Sequence, residues 1–328
     1  MVFKIETTKR KKIIIATPEK IKQINPQNLE LWKKYLNGKN MKLSDSTKYN
    51  YESDMNQFFI YILNNYDNKF IFDIDSEDMS EILEDYISFC ANFLNNKVKR
   101  IARRLSSISS LYLYYKKKRK VKENPLDLIE RPIVDNKKFE VKQTYLTKDQ
   151  VDLIRVELEK QDNLQLQLFF DLGLSTLARV NALSNIPIDN IILEDRVIER
   201  IIEKEGYEVT LIFSDRCKEL IQKWLDYRKE NNIDCKFLFI TKYKGVWDRT
   251  DKSVMQNGWI KKIGKIINEP SLHCHDLRHS GSNLLFQAGL PIEEVSALLN
   301  HKGLDVTKQH YISMDMEKIK TEKDKYEI

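Results

Sequence analysis

Residues 273–279, HCHDLRH, hold three of the five histidines in this chain of 328 residues. The other two are His301 and His310, so every imidazole lies within one short part of the sequence. Either a metal is bound there, or a reaction requires imidazoles together with the arginine of the same stretch. The rest of the sequence discriminates between these two explanations.

The spacing of the histidines gives little support to a metal site. A structural zinc site requires four ligands at recognisable spacings. No second pair of ligands accompanies His273, Cys274 and His275, and the motif H-E-x-x-H is absent. We therefore expect neither a metal nor a cofactor, and we expect Cys274 to be a small buried apolar side chain.

Composition narrows the class of protein. Hydrophobic residues make up 41% of the chain, enough for packed cores, and the mean hydropathy of −0.52 predicts a soluble protein. No apolar run approaches the length of a membrane span. The four cysteines are scattered without a C-x-x-C pair, so we expect no disulfide framework and predict a cytoplasmic location.

The distribution of charge predicts an anionic partner. Ten Lys and Arg residues, and no Asp or Glu, lie between Lys97 and Lys120, whereas the whole chain has a net charge of +6. A solvated helix face is the ordinary explanation for such a run, but aromatic residues interrupt this one, and a surface of this kind binds a phosphate backbone. The candidate DNA-binding residues are Lys97, Lys99, Arg100, Arg103 and Arg104.

Helical periodicity predicts a helical first domain. After a basic leader over residues 1–26, apolar residues recur at helical spacing in four segments. The fourth segment, at about 97–118, has its basic residues off the apolar stripe. We predict that this domain covers residues 27–122 and that a linker over 123–144, which contains two prolines and lacks periodicity, follows it.

The second domain is predicted to cover residues 145–328. It begins at Thr147-Lys148-Asp149-Gln150, which has the form of a capping box. Two β-rich runs, Arg196 to Glu203 and Tyr207 to Phe213, flank Lys204-Glu205-Gly206 and predict a hairpin with a lysine at its tip. Further helices are predicted at about 215–230, 252–267, 276–288 and 291–300. The fold class is therefore mostly α with a small β-sheet, α+β.

One set of residues in the second domain suits phosphate chemistry. His275 and Arg278 are three residues apart at the start of a predicted helix, so they share a face. A second arginine, Arg179, follows an apolar helix, and His301 and Tyr311 lie downstream. Arginine presents a planar fork of donors that suits phosphate oxygens, and tyrosine can act as a nucleophile when a neighbouring group takes its proton.

The order of these residues resembles the tyrosine recombinase, or phage integrase, family. The segments that carry the resemblance are LARVNAL at 177–183, IIEKEGYEV at 201–209, HDLRH at 275–279, ALLNHKGLDVT at 297–307 and QHY at 309–311. HDLRH followed at this distance by L-x-x-H and a tyrosine is specific, whereas LARVNAL alone would be weak. The resemblance implies a helical, SAM-like core-binding domain followed by a tyrosine-recombinase catalytic domain.

The resemblance also implies a role for each residue of the site. The catalytic set is Arg179, Lys204, His275, Arg278, His301 and Tyr311. Tyr311 would attack the DNA and form a 3′-phosphotyrosyl bond, while Arg179 and Arg278 clamp the phosphate. Such a cationic site is adequate because catalysis of phosphoryl transfer consists mainly of positioning and charge stabilisation.

The remaining members of the set would move protons or donate hydrogen bonds. His301 would be a further donor to the phosphate, and His275 would accept the proton of the tyrosine. Lys204 would give a proton to the departing 5′-oxygen, although Lys242 and Lys244 in another loop are alternatives for that role.

Two positions depart from the family pattern. Family members usually have Glu or Asp three residues after the first arginine, whereas this chain has Ala182. The carboxylate partner of Arg179 must therefore come from elsewhere or be absent. The turn that is usually L-x-G-H contains Asn300, which tolerates the left-handed conformation that such a turn requires.

The resemblance implies a site-specific recombinase that acts in DNA integration and excision or in multimer resolution. Its expected partner is double-stranded DNA with inverted-repeat sites, bound by a homodimer at each site and a homotetramer in the synapse, without a membrane. The tail from residue 312 is expected to dock on a neighbouring protomer. A catalytically inactive DNA-binding relative and a type IB topoisomerase-like enzyme that relaxes supercoils are the alternatives.

Overall fold

The computed structural model describes residues 13–39, 43–133, 145–203 and 206–299. The chain divides into two compact units, Met1–Phe139 and Glu140–Ile328. Helices dominate both units and the strands form only small antiparallel sheets, which confirms the predicted fold class. In the described part of the chain, no helix is both long and apolar enough to span a bilayer.

The first unit is built from helices. They are α1 (Pro18–Ile21), α2 (Pro26–Lys39), α3 (Asp45–Asn65), α4 (Ser76–Asn92) and α5 (Val98–Lys117). Side-chain caps fix two of the starts, because Ser44 accepts from the backbone N–H of Thr47 and Asp75 accepts from that of Asp78 at 2.8 Å. Aromatic side chains from α2, α3 and α4, such as Tyr35, Phe58 and Tyr86, fill the core of this unit.

The first part of the predicted linker packs onto this unit. Residues Pro125–Asp127 form a 3₁₀ turn, and Asn124, Leu126 and Ile129 are buried. The side chain of Asn124 accepts from the N–H of Leu126 and donates to Ser109 of α5 at 3.0 Å. The two prolines and the lack of periodicity predict a linker. The structure shows that this segment is irregular but that its own apolar side chains hold it against the first unit.

The second unit contains the remaining helices. They are α6 (Lys148–Lys160), α7 (Leu164–Thr176), α8 (Val180–Leu183), α9 (Asp215–Glu230), α10 (Lys252–Val254), α11 (Ile260–Ile266), α12 (Cys274–Gln287) and α13 (Ile292–Leu298). A π turn over Met255–Trp259 joins α10 to α11. Thr147 and Gln150 form the predicted capping box at the start of α6.

A buried carboxylate ties three of these helices together. Asp171 of α7 accepts from Arg155 of α6 at 2.8 Å and from Arg216 of α9 at 3.1 Å. Its side chain is 2% exposed, so both guanidiniums are needed to offset the loss of hydration. This arrangement fixes α7, whose C-terminal end leads into Arg179.

The predicted hairpin belongs to an antiparallel sheet. Its strands are β1 (Ile191–Ile192), β2 (Val197–Ile202) and β3 (Glu208–Ile212), in that order. A second hairpin, β4 (Ile240–Tyr243) and β5 (Val246–Arg249), is not predicted from the sequence. Its turn uses Lys244 and Gly245, both with positive φ. The turn therefore lacks the Asn-Gly or Asp-Gly pair that marks most such hairpins.

Strand β2 contains a bulge that changes which side chains face inward. Between Ile198 and Ile201, three residue steps on β2 lie opposite two on β3, and Arg200 has a φ of 54°. Side chains alternate along a regular strand. The extra residue therefore returns Ile201 and Glu203 to the face of Ile198, and all three are buried.

Helix α12 crosses α7 at very close range, and a glycine permits this approach. A Cβ on Gly281 would overlap the carbonyl oxygen of Leu174 and would lie 2.7 Å from Cδ2 of Leu177. Both neighbours are at the C-terminal end of α7, so neither can move without shifting the turn that carries Arg179. The position of α12 against α7 thus requires a glycine, which has no Cβ, at position 281.

We predict that Gly281→Ala destabilises the second unit by about 2 kcal/mol, since overpacking a tight contact typically costs about 1 to 3 kcal/mol. Chemical unfolding followed by intrinsic fluorescence measures the change.

Gly258→Ala is the matched control. A Cβ on Gly258 meets no atom within 4 Å, so this change should leave the free energy of unfolding nearly unchanged or slightly increased. Equal stability of the two variants would contradict the close approach of α7 and α12.

Candidate active site and nucleic-acid interface

Arg278, on α12, is 1% exposed and is among the largest fully buried side chains of the described residues. Its Nη1 donates to the carbonyl oxygen of Leu177 and its Nη2 to that of Leu299, each at 2.6 Å. Both acceptors are at helix C-termini, where backbone carbonyls carry partial negative charge. The carbonyls fix the orientation of the guanidinium without neutralising its charge.

The chain is bent sharply so that the carbonyl of Leu177 meets this arginine. Leu177 ends α7 in the left-handed conformation, with φ 54° and ψ 20°. A side chain other than glycine in this conformation costs roughly 1–2 kcal/mol. Leu177 is fully buried against Val295 and Leu299, and this packing of α13 offsets the strain. Strained backbone held by its surroundings is a frequent property of functional sites.

Arg179 follows two residues after Leu177, so the bond from Arg278 brings both arginines to one turn. Arg179 occupies the N-cap position of α8, and its carbonyl accepts from the N–H groups of Ala182 and Leu183. The side chain is 39% exposed and donates through Nη1 to the carboxylate of Glu203. One arginine of the site is therefore sealed inside the unit, and the other reaches its surface.

Glu203 is the carboxylate partner of Arg179 that the sequence did not identify. It follows β2, its side chain is 5% exposed, and no acidic residue stands at the nearby position 182. The sequence shows a glutamate next to the hairpin lysine. It does not show the bulge at Arg200 that turns this glutamate toward the core.

The histidines of α12 have different surroundings. His275 is exposed and lies one turn before Arg278. His279 is 7% exposed, and its ring packs edge-to-face against His275 at a centroid distance of 4.4 Å and against Tyr145 at 6.2 Å. His279 therefore has a packing role. His275, by contrast, is exposed to solvent.

The residues before α12 serve to start the helix. His273 occupies the N-cap position, and its backbone N–H donates to the carboxylate of Asp276 at 2.7 Å. Cys274 is buried in the core of the unit, and burial raises the pKa of its thiol to about 12. At neutral pH this thiol is protonated, which confirms the prediction of a small buried apolar side chain.

Three predicted catalytic residues, Lys204, His301 and Tyr311, lie outside the described residues. The two alternative lysines are described. Lys242 lies over the ring of Trp247, and Lys244 lies over that of Tyr243. Both lysines belong to the exposed hairpin of β4 and β5.

The predicted DNA-binding residues of α5 fall into two groups. Lys97, Lys99 and Arg100 are exposed around the N-terminus of the helix, where the helix dipole is also positive. Acidic side chains usually occupy a helix N-terminus, and the first turn of α5 has none. This end of the helix is therefore suited to an anion.

The other two arginines face α3. Arg103 donates to Asp54 at 2.8 Å, with 42% of its side chain exposed. Arg104 is 2% exposed and lies between Asp54 and the Sγ atom of Cys90. This placement contradicts the prediction that Arg104 lies on the exposed basic face. The buried Asp54, which faces α5 from α3, could not be predicted from the periodicity of either helix.

Comparison with known proteins connects these features. Residues 144–318 match the model of the phage integrase family. The chain is 29% identical over 253 residues to the tyrosine recombinase XerC of Caldanaerobacter subterraneus subsp. tengcongensis, covering 74% of this chain and 66% of that relative.

Solved structures share the fold at low sequence identity. The Tn1549 transposon integrase in complex with transposon right end DNA superposes with a TM-score of 0.66 at 16% identity, covering 92% of this chain and 99% of that one. A lambda integrase tetramer bound to a Holliday junction gives 0.62 at 16% identity, covering 87% and 77%.

Proposed function

The chain belongs to the phage integrase family, and from that premise we propose that it cuts and rejoins DNA strands through a covalent tyrosine–DNA intermediate. It is a tyrosine recombinase, so its activity is site-specific DNA recombination. The observation that carries the proposal for the site is the position of Arg278. Two backbone carbonyls hold it, and one of them belongs to Leu177, in the turn that also contains Arg179. Two oriented guanidiniums are a suitable receptor for one phosphate.

The proposed reaction exchanges one phosphate ester for another. The phenolic oxygen of Tyr311 attacks the phosphorus, the bond from phosphorus to the 5′-oxygen breaks, and a 3′-phosphotyrosyl ester forms. His275 takes the proton of the tyrosine, and Lys204 gives a proton to the 5′-oxygen. The ester count is conserved, so a 5′-hydroxyl from another strand reverses the step without an external energy source.

Arg179, Arg278 and His301 are proposed to stabilise the charge that develops on the nonbridging oxygens. Groups held in place before the reaction stabilise the transition state without reorganisation at the moment of reaction. Arg278 meets this condition, since the fold fixes its guanidinium through Leu177 and Leu299.

We assign the first DNA contact of the helical unit to the N-terminus of α5. Lys97, Lys99 and Arg100 are exposed there and point to the phosphate backbone as their partner. We do not include Arg104, because it is buried beside Asp54. Arg103 shares Asp54 and contributes less net charge to this surface.

Assembly on DNA is the remaining part of the proposal. The related lambda integrase forms a tetramer on a Holliday junction. For this chain we propose a homodimer on each inverted-repeat site and a homotetramer in the synapse, which serves integration and excision or multimer resolution. The tail from residue 312, outside the described residues, is proposed to dock on the neighbouring protomer.

We predict that Tyr311→Phe binds a half-site with unchanged affinity but forms no covalent adduct, because only the hydroxyl is removed. The assay uses a suicide substrate whose nicked end diffuses away after cleavage, and adducts are separated on a denaturing gel.

Wild-type protein treated with EDTA is the control and should still form the adduct. An adduct formed by the Tyr311→Phe variant would show that another residue is the nucleophile, and Tyr326 would be tested next. An inactive wild type that still binds DNA would instead favour a catalytically dead relative.

A second prediction concerns the basic end of α5. Changing Lys97, Lys99 and Arg100 to Gln should weaken DNA binding for all sequences, since each lost phosphate contact removes about 0.9 from the slope of log affinity against log salt. The slope should therefore fall by roughly 2 to 3 if all three side chains contact phosphates. Fluorescence anisotropy at several salt concentrations measures it.

Lys33, Lys34 and Lys69 changed to Gln provide a charge-matched control. These lysines are exposed in the same unit, on segments that pack against the C-terminal half of α5 through Tyr112 and Tyr115. Their loss should leave the salt slope unchanged. Equal slopes for the two triple variants would refute the placement of DNA at the N-terminus of α5.

A further inference from the structure

We propose that Glu203 is the positioning residue for Arg179, a role that the family pattern gives to an acidic residue at position 182. The inference rests on the proposed function, because it concerns the orientation of a phosphate-binding arginine. It concerns this chain's own residues, because position 182 is here a buried alanine within the core.

The burial of Glu203 requires an explanation. Removing a carboxylate from water is costly unless it is paired and its oxygens accept hydrogen bonds. One oxygen of Glu203 accepts from Arg179. The other, Oε1, is buried and accepts no hydrogen bond among the residues that the structure describes.

The buried ion pair of Glu203 and Arg179 contributes little to the stability of the fold. A buried ion pair is often no more stabilising than apolar side chains of similar volume, and here one carboxylate oxygen has no hydrogen-bond partner among the described residues. An isoleucine in the pattern of Ile198 and Ile201 would fill the inner face of β2 at lower cost. A local choice that works against stability is most often found at a functional site.

The backbone of β2 places the carboxylate of Glu203 on the inner face of the sheet. Regular alternation from Ile198 would turn Glu203 to the opposite face of the sheet, whereas the bulge with its positive φ at Arg200 returns it to the inner face. Beyond the bulge, the N–H of Glu203 donates to the carbonyl of Tyr207 at 2.8 Å. Glu203 is therefore held at a fixed point at the base of the hairpin.

The exposure of Arg179 indicates that the main effect of Glu203 is on the orientation of the arginine side chain. Arg179 is 39% exposed, so its guanidinium stays partly hydrated. It does not need a carboxylate to offset a loss of hydration. What the ion pair supplies is one preferred rotamer among the many of a long side chain. A guanidinium has five N–H donors, and the bond to Glu203 is made through Nη1, so the other nitrogens can serve the proposed phosphate receptor.

The pair also connects Arg179 to the segment that continues into Lys204. Glu203 is the residue immediately before the proposed general acid. The ion pair thus joins the turn at the end of α7 to the base of the hairpin. Position 182 lies within α8, so a carboxylate there would orient the arginine from another element and would not precede Lys204 in the chain.

The test is Glu203→Gln, which keeps the shape of the side chain and removes its charge. Adduct formation on the suicide half-site is followed in single turnover at saturating protein, together with half-site affinity and thermal unfolding. We expect the cleavage rate to fall by roughly 10- to 100-fold, by analogy with the loss of a partner that orients a metal ligand. Affinity and unfolding temperature should change little, and Glu203→Asp should recover part of the rate.

Glu199→Gln is the matched control, since it makes the same chemical change on the same strand at a side chain that is only partly buried. It should behave as wild type in all three measurements. A second test places Glu203→Gln in an Arg179→Lys background. If Glu203 acts through Arg179, the combined loss of rate is smaller than the product of the two single losses.

Each result supports or overturns the proposal. A Glu203→Gln variant that cleaves at the wild-type rate would refute it while leaving the proposed function intact. Parallel losses of rate, affinity and unfolding temperature would show a structural role and would also refute it. Failure of the wild-type protein to form any adduct would remove the proposed function, and the inference with it.

Discussion

The buried guanidinium of Arg278 is the constraint on which the second unit depends. A cation cannot be sealed in a protein interior unless fixed dipoles replace its water, and here the carbonyls of Leu177 and Leu299 do so. These two bonds demand that α7 end in a left-handed turn and that α13 pack against it. They also require that α12 approach α7 as closely as Gly281 allows. The same turn then presents Arg179.

This dependence explains why the site combines rigidity with access. Arg278 is immobilised by backbone carbonyls at the ends of two helices, α7 and α13, so its position is a property of the fold. Arg179 is held by a side chain, Glu203, and reaches the surface. His275 is exposed one turn before Arg278. The proposed phosphate site therefore combines one cation that backbone carbonyls hold in place and one that a single ion pair orients.

Much of this arrangement could be predicted from the sequence, because it follows from local rules. Apolar periodicity gave the helices, the capping residues at Ser44, Asp75 and Thr147 fixed their starts, and the β-rich runs gave the first hairpin. The motif around Arg278 identified the family. Features that depend on distant contacts were not visible. The burial of Arg104 beside Asp54 arises from packing between helices far apart in the chain. The bulge that turns Glu203 inward arises from the register of β2 against β3, which the alternation along one strand does not reveal.

The most direct test of the account is a crystal structure of the Tyr311→Phe variant bound to a half-site with an intact scissile phosphate. We expect the nonbridging oxygens within hydrogen-bond distance of Arg179 and Arg278, while Arg278 keeps its bonds to Leu177 and Leu299 and Arg179 keeps its bond to Glu203. The claim that the fold assembles the phosphate site in advance would be contradicted if Arg278 left its carbonyls to reach the DNA. A scissile phosphate bound away from both arginines would contradict it equally.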